Sequence, residues 1–362
     1  MTFIHERPNA LALYWSLGGI LVKLAFIIFP LIIDMQHDWR TIYLIWLVPC
    51  IIAIPLVIFL LPETYFLRPP VALDGRVLVQ TSTEKVLVYQ ENELAGPVDI
   101  ESTSYDMEYQ SVSRFTVGRA YGTSWSAMGW TYMQMLYCIV NPLTFWVAIL
   151  TGVMLSGVIL LGMTQPSVLV EKWGKNPDMI SKLLGVAGII GAVLALPATG
   201  PLTSWFTRYH ALRHGGVRQA EVYLFPFSLP ISTGFLSILI NGLAIKGSWP
   251  PGWLYFASAL STFSYISGNV VFTLWITEAF PRWAAAALAV QLFVGNLVSF
   301  GIGVGIMCWV KTWNIISITG LIGGLLLALG CFAIPAVFYG KDVRQYIHGR
   351  FSASEKGALR PQ

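Results

Sequence analysis

Charged side chains are scarce in this chain of 362 residues. Asp, Glu, Lys and Arg together make up 11% of the sequence, and 56% of the residues are hydrophobic. A soluble domain carries about 25% charged residues, so this balance excludes an ordinary soluble globular protein. The formal net charge of +4 is also too small to indicate a nucleic-acid partner.

The sequence also lacks the usual signs of redox, metal or catalytic chemistry. The cysteines show no CxxC spacing and no clustering with His, so no disulfide and no metal site is predicted. The motifs HExxH and GxSxG are absent, and no acidic residues are paired within an apolar run. We therefore predict no enzyme, no catalytic residue and no cofactor. We interpret the four cysteines as small packing residues: Cys50, Cys138, Cys308 and Cys331.

Long apolar runs are what the sequence has in quantity. Each is near or above the roughly 20 residues that an α-helix needs to cross a bilayer. Backbone polar groups inside hydrocarbon must be paired within the segment, so the runs predict an all-α membrane protein of about eight transmembrane helices. The predicted partners are the lipid bilayer and a small-molecule solute, and the sequence does not indicate the oligomeric state. The runs cover residues 10–33, 42–61, 143–163, 183–205, 224–245, 254–276, 284–310 and 315–338.

A hydrophilic insert separates the first two runs from the last six. We predict two helices in 1–61, a cytosolic and partly disordered linker in 62–141, a six-helix bundle in 142–340 and a cytosolic tail in 341–362. Lys and Arg are concentrated in the linker, the tail and the loops on that same side, so the positive-inside rule places both termini in the cytosol. The end of the linker, near Trp125 and Met135, is compatible with an interfacial helix or an extended lead-in, and the pattern favours neither.

Three groups of motifs resemble the major facilitator superfamily, in particular its fungal drug:proton antiporter and histidinol-permease-like members. The first is His5-Glu6-Arg7, followed by Asp38-Trp39-Arg40 and Leu61-Pro62-Glu63-Thr64-Tyr65. The second is Gly200-Pro201-Leu202-Thr203-Ser204-Trp205, followed by the loop Arg213-His214-Gly215-Gly216-Val217-Arg218-Gln219-Ala220-Glu221. The third combines Thr277-Glu278-Ala279-Phe280-Pro281, Gly295-Asn296-Leu297-Val298-Ser299-Phe300 and Tyr339-Gly340-Lys341.

This resemblance implies secondary-active transport of a small organic solute by alternating access between two helical bundles. It identifies residues 1–61 as the last two helices of the N-terminal bundle, with the first four helices of the family lacking a counterpart. The resemblance also implies a plasma-membrane location, and it leaves proton coupling open. A non-transporting or regulatory membrane protein derived from a transporter is the alternative function, and a genuine eight-helix protein is the alternative architecture.

The resemblance further implies a cytosolic gating loop, similar to the one between the family's eighth and ninth helices, where acidic and basic side chains clasp. Ser204 stands where relatives usually have an acidic residue, so we expect a weaker clasp or a substitution by Glu221. Glu278 and Phe280 stand where relatives more often show Asp and Tyr. The gating candidates are Arg208, Arg213, Arg218, Glu221 and Glu278.

Lys23 is the sharpest single candidate for solute binding. It lies near the middle of the first apolar run, where a charge costs roughly 2.5–3.5 kcal/mol. No Asp or Glu lies at mid-depth in any run, so Lys23 faces water or solute, pairs with a helix outside this chain, or is a lone deprotonated Lys beside lipid. Three residues with amide side chains within the apolar runs, Asn269, Gln291 and Asn296, are further candidates. For each of them, solute contact and interhelical hydrogen bonding are equally favoured.

Two further patterns carry structural expectations. Small residues four apart predict close helix approach, and aromatic residues in the run 254–276 indicate either a pocket lining or lipid-facing positions. The small pairs are Gly188 with Ala192, Gly301 with Gly305 and Gly320 with Gly324, and the aromatics are Tyr255, Phe263, Tyr265, Phe272 and Trp275.

Overall fold

The computed structural model describes residues 7–32, 39–60, 76–80, 86–90, 125–213, 220–280 and 283–351. The helices are α1 Arg7–Ile32, α2 Trp39–Leu60, α3 Trp125–Val140, α4 Pro142–Trp173, α5 Pro177–Thr199, α6 Pro201–Arg213, α7 Ser228–Lys246, α8 Gly252–Ala279, α9 Ala284–Thr312, α10 Ile315–Cys331 and α11 Ala333–Phe351. A 3₁₀ segment, Ala220–Phe227, leads into α7.

The predicted all-α membrane class is confirmed. Among the described residues, seven helical segments are long and apolar enough to cross a membrane. The second predicted run contains a shorter apolar stretch, Tyr43–Val57. The arrangement of two helices followed by six stays a prediction.

The insert before α3 contains one small sheet in its described part. Strands β1 Arg76–Gln80 and β2 Val86–Gln90 pair antiparallel, with Arg76 opposite Gln90. The predicted disorder of the linker 62–141 concerns residues such as Glu84 and Asp106, which lie outside the described residues. At 125–140 the chain is helical, so the extended lead-in is wrong there, while the interfacial placement of α3 stays a prediction.

Helix α4 is longer than the predicted run 143–163, and clear signals mark both of its ends. Asn141 caps its N-terminus, because the Asn141 side-chain oxygen accepts the Leu143 N–H at 3.0 Å, and Pro142 occupies the first helical position. At the other end Gly174 adopts the left-handed conformation (φ 56°) and its N–H donates to the Val170 carbonyl, a common helix stop. The predicted run ended at residue 163, but the helix continues, and the polar residues Thr164 and Gln165 that follow are buried within the protein.

Two other predicted runs are broken into separate helices. The run 183–205 is divided at Gly200, because Pro201 has no N–H to continue the hydrogen bonding of α5. The run 315–338 is divided at Phe332, between α10 and α11. Both breaks lie towards the end of the run that is predicted to face the cytosol.

The chain divides into two units. The first comprises Met1–Trp39 and Tyr132–Asp342, and the second comprises Arg40–Thr131 and Val343–Gln362. Within the first unit α1 packs along α5 and α8, α4 packs on α9, and α7 lies between α8 and α10. The second unit holds α2 and the β1–β2 hairpin. The predicted domain boundaries stay a prediction.

Close helix approach occurs at only part of the predicted small-residue positions. In α5, a Cβ added to Gly188 would lie 2.7 Å from the Lys23 side chain of α1, and Ala192 is buried. Nothing lies within 4 Å of a Cβ added to Gly301, Gly320 or Gly324, so the prediction was wrong there. These glycines lie on helix faces that no described neighbour covers, and spacing alone does not distinguish the two situations.

Candidate functional site

Lys23 lies on the face of α1 that packs against α5. The methylene groups of Lys23 cover Gly188, which has no side chain to displace them. The Lys23 ammonium lies 5.8 Å from the ring centroid of Phe26, a ring that is largely exposed. No carboxylate of the described residues forms an ion pair with Lys23. The half-buried ammonium is therefore available to a solute or to a helix outside the described ranges.

An ion pair that the sequence did not single out joins the start of α1 to the end of α8. The Arg7 guanidinium donates to the Glu278 carboxylate, with 3.1 Å between Nη1 and Oε1, and both side chains are partly exposed. Glu278 was a gating candidate, whereas Arg7 was noted only as part of a motif. Both residues lie at helix ends on the predicted cytosolic side, and that shared depth was the signal that could have paired them.

A second contact lies beside this ion pair, at the junction between α5 and α6. The Ser204 hydroxyl donates to the side-chain oxygen of Asn9 at 3.4 Å. A Cβ added to Gly200 would lie 3.0 Å from the same Asn9 oxygen. The contact of Ser204 with α1 is therefore neutral, and the expectation that relatives carry an acidic residue at this position stays a prediction. We call Arg7, Asn9, Ser204 and Glu278 the α1 clasp.

The remaining gating candidates are not part of the α1 clasp as described. Arg208 is exposed on α6. Arg213 is also exposed, and its guanidinium lies 4.5 Å from the ring centroid of Tyr209, one helical turn earlier. Glu221 is half-buried in the 3₁₀ segment, and Arg218 lies outside the described residues. Their roles in gating stay a prediction.

The three amide candidates have different surroundings. Gln291 of α9 is 1% exposed, and its amide nitrogen donates to the Thr151 hydroxyl of α4 at 3.2 Å, an interhelical bond. The amide nitrogen of Asn269 donates to the Tyr265 carbonyl at 2.8 Å within α8. Asn296 is exposed on α9 and donates to the Leu292 carbonyl at 2.8 Å. Solute contact by these residues stays a prediction.

A buried polar network that sequence reasoning missed joins α4, α7 and α8. The Gln165 amide nitrogen donates to the Asn241 side-chain oxygen at 3.2 Å and to the Leu254 carbonyl at 2.9 Å. The Asn241 amide in turn donates to the Thr164 hydroxyl at 3.2 Å. Nearby, the Lys172 ammonium donates to the Ile245 carbonyl near the end of α7. The network joins three helices at the end opposite the α1 clasp.

Replacing Asn241 with Leu should lower the free energy of unfolding by about 1 kcal/mol, because it removes two interhelical hydrogen bonds of the modest strength measured in membranes. Asn296→Leu is the matched control, since the exposed Asn296 bonds only within its own helix. Denaturation in a titration of harsh detergent would compare the two variants. Equal destabilisation by both would contradict a stabilising role for the network.

An aromatic cluster fills the interior near the start of α4 and α7. Trp146 stacks on Phe227 with ring centroids 6.0 Å apart, and Trp275 meets Trp146 edge-on at 6.1 Å. Phe272 contacts Phe227 at 4.6 Å. The Trp146 indole N–H also donates to the Leu329 carbonyl of α10 at 2.8 Å. Phe272 and Trp275 are buried, so neither a lipid-facing position nor a pocket lining describes them; they pack the bundle interior.

Metal binding finds no support in the described ranges. Within 7–32, 39–60, 125–213, 220–280 and 283–351, no three His, Cys, Asp or Glu residues come close enough to hold an ion. The described part of the first unit combines tightly packed apolar helices with a partly exposed ion pair at one helix end and the half-buried ammonium of Lys23.

Comparison with known proteins finds sequence similarity to fungal proteins over about half of the chain. No family model matches the chain, and no solved structure matches it. Protein HOL1 of Saccharomyces cerevisiae is 20% identical over 182 residues, which are 50% of this chain and 31% of that protein. Uncharacterized MFS-type transporter C1271.10c of Schizosaccharomyces pombe is 21% identical over 180 residues, which are 49% of this chain and 31% of that protein. The chain thus matches 31% of the length of these curated relatives.

Proposed function

We propose that this chain forms part of a secondary-active transporter of the major facilitator type, which moves a small organic solute by alternating access. The observation that carries the proposal is the α1 clasp. It joins α1, which the resemblance assigns to one bundle, to α6 and α8 of the other bundle. Similarity to an MFS-type transporter supports the same function.

Alternating access requires contacts between the bundles that hold at one end and then release. The Arg7–Glu278 pair suits this requirement, because both side chains are partly exposed and such pairs contribute only about 0–1 kcal/mol. In the proposed cycle the pair closes the cytosolic end and separates when that end opens. The buried network around Gln165 and Asn241 keeps α4, α7 and α8 moving as one body.

Lys23 is the proposed solute contact within the membrane. Its ammonium has no described carboxylate partner, and an intramembrane charge is expensive unless it serves a site or a pathway. Proton coupling, the drug:proton antiporter or histidinol-permease-like subtype, a plasma-membrane location and cytosolic termini all belong to this proposal. The test is uptake of a broad panel of labelled solutes by vesicles that contain the native protein. Absence of flux across the panel would count against transport.

The proposal also includes further helices in the native protein, because the curated relatives are much longer than the matched region. The intact mass of the protein from its native membrane tests this. A mass well above 40.0 kDa would support a complete two-bundle transporter. A mass equal to 40.0 kDa would leave alternating access without one of its bundles, and would argue for the non-transporting function.

Exchanging the charges of Arg7 and Glu278 tests whether the ion pair itself affects transport, as opposed to the loss of either side chain. We expect Arg7→Glu and Glu278→Arg each to change the transport rate roughly twofold to fivefold, since an exposed pair contributes up to about 1 kcal/mol. The double exchange should restore the original rate, because it restores the ion pair. Initial rates of solute uptake measure this.

Lys246→Glu is the control for the charge exchange. Lys246 is an exposed basic residue at the end of α7, and it belongs neither to the α1 clasp nor to the gating candidates. Its replacement should leave the uptake rate close to that of the original protein. If Lys246→Glu acts as strongly as Arg7→Glu, or if the double exchange fails to restore transport, the clasp does not gate.

A further inference from the structure

An apolar groove opens on the surface of the first unit, and neither Lys23 nor any residue of the α1 clasp lines it. Its volume is about 570 Å³, within the roughly 300–1,000 Å³ range of small-molecule sites. The 3₁₀ segment and the start of α7 form one wall, and the α10–α11 junction forms the other. Its walls include Phe225, Ser228, Ile231, Cys331, Ile334 and Val337.

The groove exists because α7 and α10 separate below one point of close contact. A Cβ added to Gly330 would lie 2.6 Å from the Ile231 side chain, so the two helices touch at this level. One residue later α10 ends, and Phe332 forms a turn before α11 begins. Beyond the turn, Ile334 of α11 is 61% exposed and lines the groove together with Ile231 of α7. The groove between α7 and α11 is therefore open at the surface of the protein.

The lining offers few hydrogen-bonding groups to a ligand. The Ser228 hydroxyl donates its proton to the Phe225 carbonyl at 2.9 Å, and the Ser232 hydroxyl donates its proton to the Leu229 carbonyl at 3.1 Å. No charged residue belongs to the lining. A polar solute would lose its hydration here and gain few partners, so a plain hydrocarbon chain fits the lining best.

The position of the groove along the helices decides where such a chain comes from. Its walls belong to the segments Ala220–Lys246 and Ile315–Gly340, both of which are long and apolar enough to cross a membrane. The groove lies at the end of each segment that the positive-inside rule places towards the cytosol. Acyl chains of the adjoining leaflet surround the protein at that depth, and water does not.

We propose that this groove holds one acyl chain of a phospholipid from the cytosolic leaflet. The chain fills the space between α7 and α11 that protein side chains leave empty, and it replaces the packing contacts that the break at Phe332 removes. The headgroup stays at the membrane surface beyond Phe338. This site is independent of the proposed transport function.

Filling the groove with a protein side chain tests the proposal. Ile334→Trp places an indole in the groove, and because Ile334 is exposed the variant is expected to fold. Leu325→Trp is the matched control, since Leu325 is 40% exposed on α10 but does not line the groove. Both proteins would be purified, exchanged into nanodiscs of palmitoyl-oleoyl phosphatidylcholine and phosphatidylglycerol, and released into mild detergent for native mass spectrometry.

We expect the original protein and Leu325→Trp to retain one phospholipid after release. Ile334→Trp should retain roughly tenfold less, which corresponds to about 1.4 kcal/mol of lost binding. Equal retention by all three proteins would overturn the proposal, as would retention of a sterol or of detergent alone when phospholipid is present.

Thiol labelling gives a second readout that does not depend on a new side chain. Cys331 lines the groove, and Cys308 is also exposed but lies on α9. Burial raises the pKa of the Cys138 thiol to about 12, so Cys138 stays unreactive. In two proteins that lack Cys50 and one of the two test cysteines, and that keep Cys138 with the other, added phospholipid should slow maleimide labelling of Cys331 and leave Cys308 unchanged. Equal slowing of both thiols would show general lipid coverage and overturn the site.

Discussion

Replacing Trp275 with Ala should lower the free energy of unfolding by about 3–5 kcal/mol, the usual cost of removing a large buried aromatic side chain. Trp275 is 2% exposed and contacts the rings of Trp146, Phe227 and Phe280. Trp146 belongs to α4, Phe227 to the 3₁₀ segment, and Phe280 directly follows α8, so these rings cannot all close on the cavity at once. Because lipid offers no hydrophobic drive to hold helices together, the loss appears as lost packing and an empty cavity.

The control for this cavity is an aromatic residue of the same helix that packs at the surface. Trp253 is 45% exposed and contacts only the rings of Trp249 and Phe256. Trp253→Ala should cost less than about 1 kcal/mol, as surface substitutions usually do. Unfolding of both variants in a harsh-detergent titration gives the comparison. If the two variants unfold at the same detergent concentration, the aromatic cluster does not stabilise the packing of α4, α7 and α8.

The contrast between Trp275 and Trp253 shows what the sequence could not supply. Trp275 lies in the predicted apolar run 254–276 and Trp253 directly before it, and the membrane removes the polar–apolar contrast that marks the inner face of a soluble helix. Composition therefore predicted the helices and the all-α class, but it left the direction of each aromatic side chain open. The predicted ends of the apolar runs were wrong for a related reason. Thr164 and Gln165 stop an apolar run in the sequence, whereas in the fold they are buried and hydrogen-bonded.

The candidate site was predictable in part. The depth of Lys23 and the lack of a carboxylate at that depth follow from the sequence alone, and the structure adds that its stem packs over Gly188. The Arg7–Glu278 pair joins residues 271 positions apart, and no local pattern predicts such a distant partner. Ser204 was identified as a departure from the family pattern, and the structure supplies its contact with Asn9.

Gly191 carries the second large expected effect. A Cβ added to Gly191 would overlap the carbonyl oxygen of Ala259 in α8 and lie 3.2 Å from the Phe263 backbone nitrogen. Backbone atoms cannot rotate away as a side chain does, so Gly191→Ala must push α5 away from α8. We expect it to lower the free energy of unfolding by about 1–3 kcal/mol, the usual cost of overpacking.

The same substitution at Gly162 should have the opposite sign. Nothing lies within 4 Å of a Cβ added there, and Ala stabilises a helix relative to Gly by up to about 1 kcal/mol. Unfolding of Gly191→Ala and Gly162→Ala under the same conditions separates close helix contact from helix propensity.

Because α8 also carries Glu278, separation of α5 from α8 should weaken the α1 clasp, and the rate of solute uptake should change with stability. Equal stabilisation by both substitutions would mean that α5 and α8 do not approach at Gly191, and the position of Glu278 beside Arg7 would then lose its structural support.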